Sequence, residues 1–192
     1  MRVSREQAAE NRERVLSAAA KLFRERGFDG IGVADLMKSA GLTHGGFYGQ
    51  FESKEDLMAQ AAQRAMQDSL AHWQRLAERA PQDPLAALLK FYLSPAHRDR
   101  PGEGCMLASL GAEAPRHGPA LRHSFTTGCK ALLEQLAGML PGRSAAARRE
   151  RALATFASMV GALVLARAVD DEGLSRDILR AVSASAAAAP AG

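Results

Sequence analysis

The sequence predicts an all-α protein, and three observations support this fold class. Residues that favour helices, chiefly Ala, Leu, Arg and Glu, are frequent, whereas aromatic residues make up only 5% of the 192. Apolar residues recur at helical spacing in most segments, and no segment shows the sustained alternation that is typical of a strand. Prolines fall between the apolar segments, where they end helices. We therefore expect about nine helices.

The N-terminal part of the chain predicts three helices. The first is expected over 4–27, where Ser4 is placed to cap its start and Gly27 to end it. Two short helices are expected over 33–39 and 44–50, joined by a turn that contains a glycine. Such a pair has the proportions of a helix-turn-helix, whose second helix enters the major groove of DNA.

The rest of the chain predicts further helices. Ser53 opens the first of them in the sequence SKED, which has the form of a capping box with Asp56 at the third helical position (N3). The expected helices lie at 53–79, 84–94, 103–114, 118–140, 144–170 and 174–184. The segment 98–104, RDRPGEG, is expected to be a mobile loop, and the tail is expected to fray after about residue 184.

The bulk composition favours a cytoplasmic protein. The formal net charge of +4 is mildly basic and compatible with nucleic-acid binding. Two cysteines, Cys105 and Cys129, do not make a disulfide framework, which favours a reducing compartment. The N-terminus has no apolar signal core, and the most apolar stretch, 152–166, is too short to span a bilayer comfortably. We expect no membrane partner.

The sequence lacks the motifs of the common enzyme classes. His97, His117 and His123 are scattered, and no paired cysteines have the spacing of metal ligands. There is neither a nucleophile elbow nor a phosphate loop that ends in Gly-Lys-Ser/Thr. We therefore expect no catalytic residue, no metal and no cofactor, and a small helical enzyme is kept only as an alternative.

The stretch 12–57, RERVLSAAAKLFRERGFDGIGVADLMKSAGLTHGGFYGQFESKEDL, resembles the DNA-binding domain of the TetR/AcrR family of bacterial transcriptional regulators. The resemblance is carried by Ala19, Leu22, Phe23, Gly27, Phe28, Asp35, Ala40, Gly41, Phe47, Tyr48, Phe51, Ser53, Lys54 and Leu57. It implies a helix-turn-helix DNA-binding domain over 1–52 and a helical effector-binding and dimerisation domain over 53–192. The implied partner is a pseudo-palindromic operator in double-stranded DNA, bound by a homodimer.

The resemblance also implies a DNA-binding surface at the start of the recognition helix. Its residues are Thr43, His44, Gly45, Gly46, Tyr48, Gln50 and Lys54. Tyr48 and Lys54 match positions that contact the DNA backbone, while Thr43, His44 and Gln50 are candidates for reading bases. Gly45 and Gly46 are small enough to let the helix approach a phosphate closely. Phe47 and Phe51 should face the core of this domain.

Three positions depart from the common pattern of the family. His44 stands where Lys is usual, Gln50 where His is usual, and Gly32 where Thr or Ser caps the second helix. These departures bear on which operator is read rather than on DNA binding itself. The N-terminal arm is expected to add backbone contacts through Arg2, Arg5 and Arg12.

The last two long helices are expected to form the dimer, as the resemblance implies. Their apolar faces contain Leu153, Phe156, Ala157, Val160, Leu163 and Val164 in the first helix, and Leu174, Ile178, Leu179 and Val182 in the second. Ala157, Gly161 and Ala168 are small enough for helices to pack closely. A four-helix interface follows, although the same faces would also suit an intramolecular core.

Two features are candidates for effector sensing. An apolar pocket for an unknown small molecule is expected from Trp73, Phe91, Tyr92, Met106, Leu110, Phe125 and Met139, which would equally suit an ordinary core. Cys105 follows a Gly-rich loop near the predicted start of a helix, where a thiolate is favoured. Relatives with a similar Gly-Cys-aliphatic motif include sensors of electrophiles or oxidants. A buried structural cysteine is the alternative.

These patterns together predict a dimeric DNA-binding transcriptional regulator. We expect a repressor that leaves its operator when an effector binds or when Cys105 is modified. The alternatives are a helical protein-interaction module that has lost DNA binding and the small helical enzyme.

Overall fold

The computed structural model describes residues 4–188, and within that range it contains nine α-helices, three 3₁₀ turns and no strand. The helices are α1 (Arg5–Arg26), α2 (Val33–Ser39), α3 (Lys54–Arg79), α4 (Pro84–Tyr92), α5 (Pro95–Asp99), α6 (Met106–Leu110), α7 (Pro119–Met139), α8 (Ala145–Ala168) and α9 (Glu172–Ala187). The 3₁₀ turns lie at His44–Gly46, Pro101–Glu103 and Ala114–Arg116. The predicted all-α class is confirmed.

The described chain divides into two compact units. The first consists of the residues up to Gln67 together with Cys105–Gly128, and it contains α1, α2 and α6. The second consists of Asp68–Gly104 and the residues from Cys129 onward, and it contains α4, α5, α8 and α9. The predicted domain boundary between residues 52 and 53 stays a prediction.

Helix α1 organises the core of the first unit. Its buried residues are Val15, Leu16, Ala19, Ala20 and Phe23, and the helix packs on α2 and α6. The predicted caps are confirmed, because the Ser4 hydroxyl accepts a hydrogen bond from the Gln7 amide at 3.1 Å. At the other end Gly27 has φ +80°, a conformation that favours glycine, and its amide donates to the carbonyl of Phe23.

Helix α2 ends in a Schellman motif at Gly41. The amide of Leu42 donates to the carbonyl of Met37 at 2.9 Å, and the amide of Gly41 donates to that of Lys38 at 3.0 Å. Gly41 has φ +70°, which strains other residues. The chain therefore leaves α2 abruptly and enters the next segment after a tight turn.

The predicted helix over 44–50 is wrong in its form. Only His44–Gly46 is helical, as one 3₁₀ turn, and turn residues follow up to Gln50. The amides of Gly46 and Phe47 each donate to a carbonyl three residues earlier. Three glycines in this stretch lower its helix propensity, and they outweigh the helical spacing of its aromatic residues.

Other predicted boundaries also needed correction. The helix expected over 103–114 is reduced to α6, because Gly111 follows it and Pro101 and Pro115 place 3₁₀ turns on either side. Helix α5 was not predicted. The last helix continues to Ala187, beyond the expected onset of fraying.

The second unit is built around α8 and α9, which pack along each other. The inward face of α8 buries Phe156, Met159 and Leu163, and the centroid of the Trp73 ring lies 5.5 Å from that of Phe156 in an edge-to-face arrangement. The buried hydroxyl of Ser175 donates to the carbonyl of Ala166 at 2.7 Å. Packing and this hydrogen bond together fix α9 against the end of α8.

Arg98 anchors the segment 98–104, which the sequence predicts to be a mobile loop. It donates to Ser175 at 2.8 Å and forms an ion pair with Glu172 at 3.0 Å, both on α9. Arg167 donates to the carbonyls of His97 and Arg98. The two glycines of this segment, at 102 and 104, are buried, so the segment is packed against its own unit.

Helix α8 is the single helix among the described residues that is long and apolar enough to cross a membrane by length and composition. Only 39% of its most apolar window is buried. A core helix of a soluble protein can have the same composition. Here the composition arises because α8 is apolar on its outward face as well as on its inward one.

Candidate nucleic-acid interface

Residues 43–50, which we name the recognition turn, form an exposed surface directly after the Schellman motif. Thr43, His44, Gly45, Tyr48 and Gly49 are exposed. The Tyr48 side chain is 70% exposed, the largest exposure among the exposed large hydrophobic side chains of the described residues. An aromatic hydroxyl in this position is available to a partner outside the chain.

Two phenylalanines anchor the recognition turn to its unit. The rings of Phe47 and Phe51 are buried, as predicted, and they stack with their centroids 5.6 Å apart. The Tyr48 ring packs edge-on against Phe47 at 5.2 Å and against His44 at 5.9 Å. The exposed tyrosine is therefore held at its base while its hydroxyl end faces solvent.

The start of α3 adds a positive charge next to the recognition turn in sequence. The Ser53 hydroxyl accepts from the Asp56 amide at 3.0 Å, which confirms the predicted cap. The Asp56 carboxylate accepts from the amide of Glu52 at 3.1 Å rather than from Ser53 itself. Lys54, half-buried, is the first residue of this 26-residue helix. An ammonium group at a helix N-terminus suits a phosphate.

The glycines of the recognition turn are not required by the protein's own packing. A Cβ atom built at Gly45 would meet no atom within 4 Å, and one at Gly46 or Gly49 would make ordinary contacts. None of the three has a positive φ. Neither backbone conformation nor internal crowding therefore explains why glycine stands at 45.

Two residues expected to contact DNA are engaged inside the protein. The Gln50 side-chain amide donates to the carbonyl of Gly46 at 3.1 Å, so its nitrogen is turned back onto the recognition turn. The half-buried guanidinium of Arg12 donates to the carbonyl of Gln50 and to the side chain of Gln60. Arg5 is exposed at the start of α1, and Arg2 lies outside the described residues.

Glu113 links the segment after α6 to the end of α1. Its carboxylate accepts a hydrogen bond from the amide of Phe28 at 2.9 Å. The Phe28 ring is buried and meets the rings of His117 at 5.1 Å and Phe125 at 6.5 Å. Since α6 also packs on α1, two contacts connect this segment to α1, which in turn packs on α2, the helix that precedes the recognition turn.

Cys105 immediately precedes α6 and is only 5% exposed. It is not in a disulfide, and neither is Cys129, which is half-buried on α7. Helix α6 has only five residues, so its dipole stabilises a thiolate at Cys105 less than the longer predicted helix would. The burial of Cys105 agrees with the alternative of a buried structural cysteine.

The residues of the predicted effector pocket belong to different compact units. Trp73 and Tyr92 are buried and Phe91 is half-buried in the second unit, where the rings of Trp73 and Tyr92 are 6.1 Å apart. Three others of that set, Met106, Leu110 and Phe125, are buried in the first. A pocket that all of these residues line stays a prediction.

His72 lies beside the aromatic residues of the second unit, although it is not one of the predicted pocket residues. Its ring lies 4.4 Å from that of Phe91, and its Nε2 atom is buried with no hydrogen-bond partner among the described residues. Burial is the main reason that the pKa of His72 lies below its usual value of 6.5, and the charges of Arg75 and Arg79 lower the pKa further. The imidazole is therefore neutral at pH 7.

The remaining large exposed hydrophobic side chains lie on α8 and α9. They are Leu153, Val164, Leu165 and Leu174. Phe156, Leu163 and Leu179 of the predicted dimer faces point inward instead and are buried. A groove of about 840 Å³ runs between the two helices and is lined by Ala154, Ser158, Val182 and Ser185 among others. The predicted faces thus divide into a core side and an exposed side.

Comparison with known proteins finds similarity to bacterial regulators. The sequence profile described as bacterial regulatory proteins, tetR family, matches residues 15–61, which include α2 and the recognition turn. The HTH-type transcriptional regulator TtgR of Pseudomonas putida is 32% identical over 94 residues, which are 48% of this chain and 44% of TtgR. The chain thus spans about half the length of that curated relative.

A second relative matches over more of its length. The HTH-type transcriptional repressor NemR of Escherichia coli K12 is 27% identical over 137 residues, 68% of this chain and 67% of NemR. The crystal structure of reduced E. coli NemR superposes with a TM-score of 0.76 at 24% identity, covering 95% of this chain and 100% of that one. A TetR transcriptional regulator from Chloroflexus aurantiacus gives a TM-score of 0.72 at 26% identity, covering 93% and 95%.

Proposed function

The chain belongs to the TetR family of bacterial regulatory proteins, and we propose that it acts as a dimeric repressor that binds an operator through the recognition turn. The observation that carries this proposal is the exposed surface of that turn. It presents a tyrosine and glycines that internal packing does not require. The family's relatives are regulators rather than enzymes, and a regulator of genes acts in the cytoplasm, where the DNA is.

The exposed residues divide between positioning on the DNA backbone and reading bases. The Tyr48 hydroxyl and the Lys54 ammonium group are suited to phosphates, because they are a donor on an exposed ring and a charge at a helix N-terminus. Thr43 and His44 are exposed at the start of the turn, where a recognition helix presents residues to base edges. Gln50 reads a base only if its amide leaves the Gly46 carbonyl.

The glycines support close approach to DNA. The space around a Cβ at Gly45 is empty within the chain, so only a partner that lies against the turn would exclude a side chain there. A sugar-phosphate backbone against the turn would provide them. The glycines weaken the turn as a helix, which is tolerable if contact with DNA requires the space.

The exposed side of α8 and α9 is the proposed dimer interface. Exposed apolar side chains, one of them Leu165 at 56%, follow both helices, and such patches mark contact surfaces. Along α8 the outward positions include Ala157 and Gly161, which allow two helices to pack closely. A symmetric dimer would present two recognition turns to the two halves of a pseudo-palindromic operator.

An effector or a modified thiol would release the operator. Adding a group to the buried sulfur of Cys105 overfills a packed site and displaces α6. Because α6 packs on α1, and Glu113 holds the amide of Phe28, that displacement would reach the helix-turn-helix within one compact unit. Operator-competent dimers would then become less populated. A small molecule in the predicted pocket is the other route.

Replacing Gly45 by Ala should separate stability from DNA binding. Alanine fits the protein, so the free energy of unfolding in urea should rise by about 0.5–1 kcal/mol. Affinity for the DNA upstream of the chain's own gene should fall about tenfold, because the methyl group meets the DNA backbone. Gel shifts at two salt concentrations measure this affinity.

The matched control is Gly138→Ala, since a Cβ at Gly138 on α7 also meets no atom within 4 Å. That variant should gain stability and bind DNA as the wild type does. If the Gly45→Ala variant and the wild type bind DNA with equal affinity, the DNA does not lie against Gly45. A wild type that binds no DNA at either salt concentration would favour the protein-interaction module.

A charge on the outward face of α8 should dissociate the dimer. Val164→Glu places a carboxylate on an exposed apolar face, so light scattering at micromolar concentration should give a monomer while circular dichroism shows an intact helical fold. Ala86→Glu, on the exposed side of α4, should remain dimeric. A monomeric wild type, or a dimeric Val164→Glu variant, would refute this interface.

Alkylation of Cys105 should weaken operator binding. N-Ethylmaleimide adds across its carbon–carbon double bond, so that the sulfur bonds to one carbon and the thiol proton ends on the other. Wild-type protein carrying one adduct should lose affinity about tenfold or more, in the range of allosteric couplings. Cys129→Ser should respond equally, and Cys105→Ser should not. An unchanged response in Cys105→Ser would reject the thiol switch.

A further inference from the structure

We propose that Arg12 is a positioning residue of the DNA interface, which shapes the recognition turn from inside the protein and does not contact DNA. The inference rests on the proposed DNA-binding function. It replaces the expectation that Arg12 extends the N-terminal arm onto the DNA backbone. Three segments that are distant in sequence meet at this one guanidinium.

The guanidinium joins α1, the recognition turn and α3. One terminal nitrogen donates to the backbone carbonyl of Gln50, and the other donates to Oε1 of Gln60 on α3. The plane also covers the ring of Phe51, with Cζ 4.6 Å from the ring centroid. Both terminal nitrogens and the face of the group are therefore occupied within the first compact unit.

The recognition turn needs such a support because it lacks a helical hydrogen-bond ladder. After the 3₁₀ turn its amides at 50 and 51 both donate to the carbonyl of Phe47. The carbonyl of Gln50 lies at the end of the turn, where it needs a donor from outside the turn. Arg12 supplies that donor and simultaneously holds Phe51, the aromatic anchor of the turn, by its charge over the ring.

A hydrogen-bond relay extends from Arg12 to the start of α3. Gln60, which accepts from Arg12, donates its side-chain amide to Oδ1 of Asp56 at 2.7 Å. The other oxygen of that carboxylate accepts from the amide of Glu52, and the amide of Asp56 donates to Ser53. The cap that places Lys54 is thus connected to the same guanidinium that closes the recognition turn.

Lysine cannot replace this arginine. An ammonium group has no planar fork with which to reach two acceptors in different segments, nor a flat face to lie on the Phe51 ring. A phosphate contact would be different, because lysine neutralises a phosphate almost as well as arginine does. Arg12→Lys therefore distinguishes a positioning role from a direct contact with DNA.

The test measures affinity for the upstream DNA at several salt concentrations for Arg12→Lys, Arg12→Met and the wild type. Both variants should bind about tenfold more weakly, and the slope of log affinity against log salt should equal that of the wild type. A phosphate contact predicts near-normal affinity for Arg12→Lys and, for Arg12→Met, a slope smaller by about 0.9. Either of those results would overturn the proposal.

A second measurement without DNA separates positioning from general destabilisation. In ¹H–¹⁵N spectra of the full chain, Arg12→Lys should shift the amide signals of Gly45, Gly46 and Gly49 and leave those of Gly138 and Gly161 in place. Arg5→Met, which removes an exposed arginine of the same helix, should leave all five unchanged. Unshifted signals of the recognition turn in Arg12→Lys would contradict the proposal.

The two hypotheses fail in different ways. If the wild type shows no salt-dependent binding to DNA, the proposed function fails, while the glycine signals still report whether Arg12 holds the turn. If the wild type binds DNA and Arg12→Lys binds equally well, only the positioning role fails. Gln60→Ala, which removes one acceptor and the relay, should reproduce part of the same shifts.

Discussion

The recognition turn cannot support itself as a helix, and much of the first compact unit serves to hold it. Its glycines lower helix propensity, so its shape depends on contacts at both ends and beneath it. The Schellman motif at Gly41 fixes where it begins, the stacked rings of Phe47 and Phe51 anchor its underside, and Arg12 closes its end. The proposed DNA-binding surface therefore does not depend on a stable isolated helix.

The second unit meets a different constraint, because α8 is apolar on two sides. On its inward side, Phe156 and Met159 belong to the core. Its outward side exposes apolar side chains such as Leu165, and α9 exposes Leu174. This arrangement explains why α8 has the composition of a membrane span although its inward side is part of a core. The proposed dimer would cover this apolar outward side with a second copy of the chain.

Local signals made much of the fold predictable from the sequence. Ser4, Gly27 and Ser53 act within a few residues of their own positions, and all three caps were predicted correctly. The form of the recognition turn was missed, because aromatic spacing predicts a helix and glycine content opposes it. The role of Arg12 was not predictable in this way, since its acceptors lie 38 and 48 residues away and only the folded chain brings them together.

The central claim is that the recognition turn and the start of α3 form one DNA-binding surface, and the salt dependence of Lys54→Gln tests it most directly. If Lys54 neutralises one phosphate, the slope of log affinity against log salt should be smaller than that of the wild type by about 0.9. Lys90→Gln, which removes an exposed lysine of α4, should keep the wild-type slope. Equal slopes for Lys54→Gln and the wild type would contradict the account.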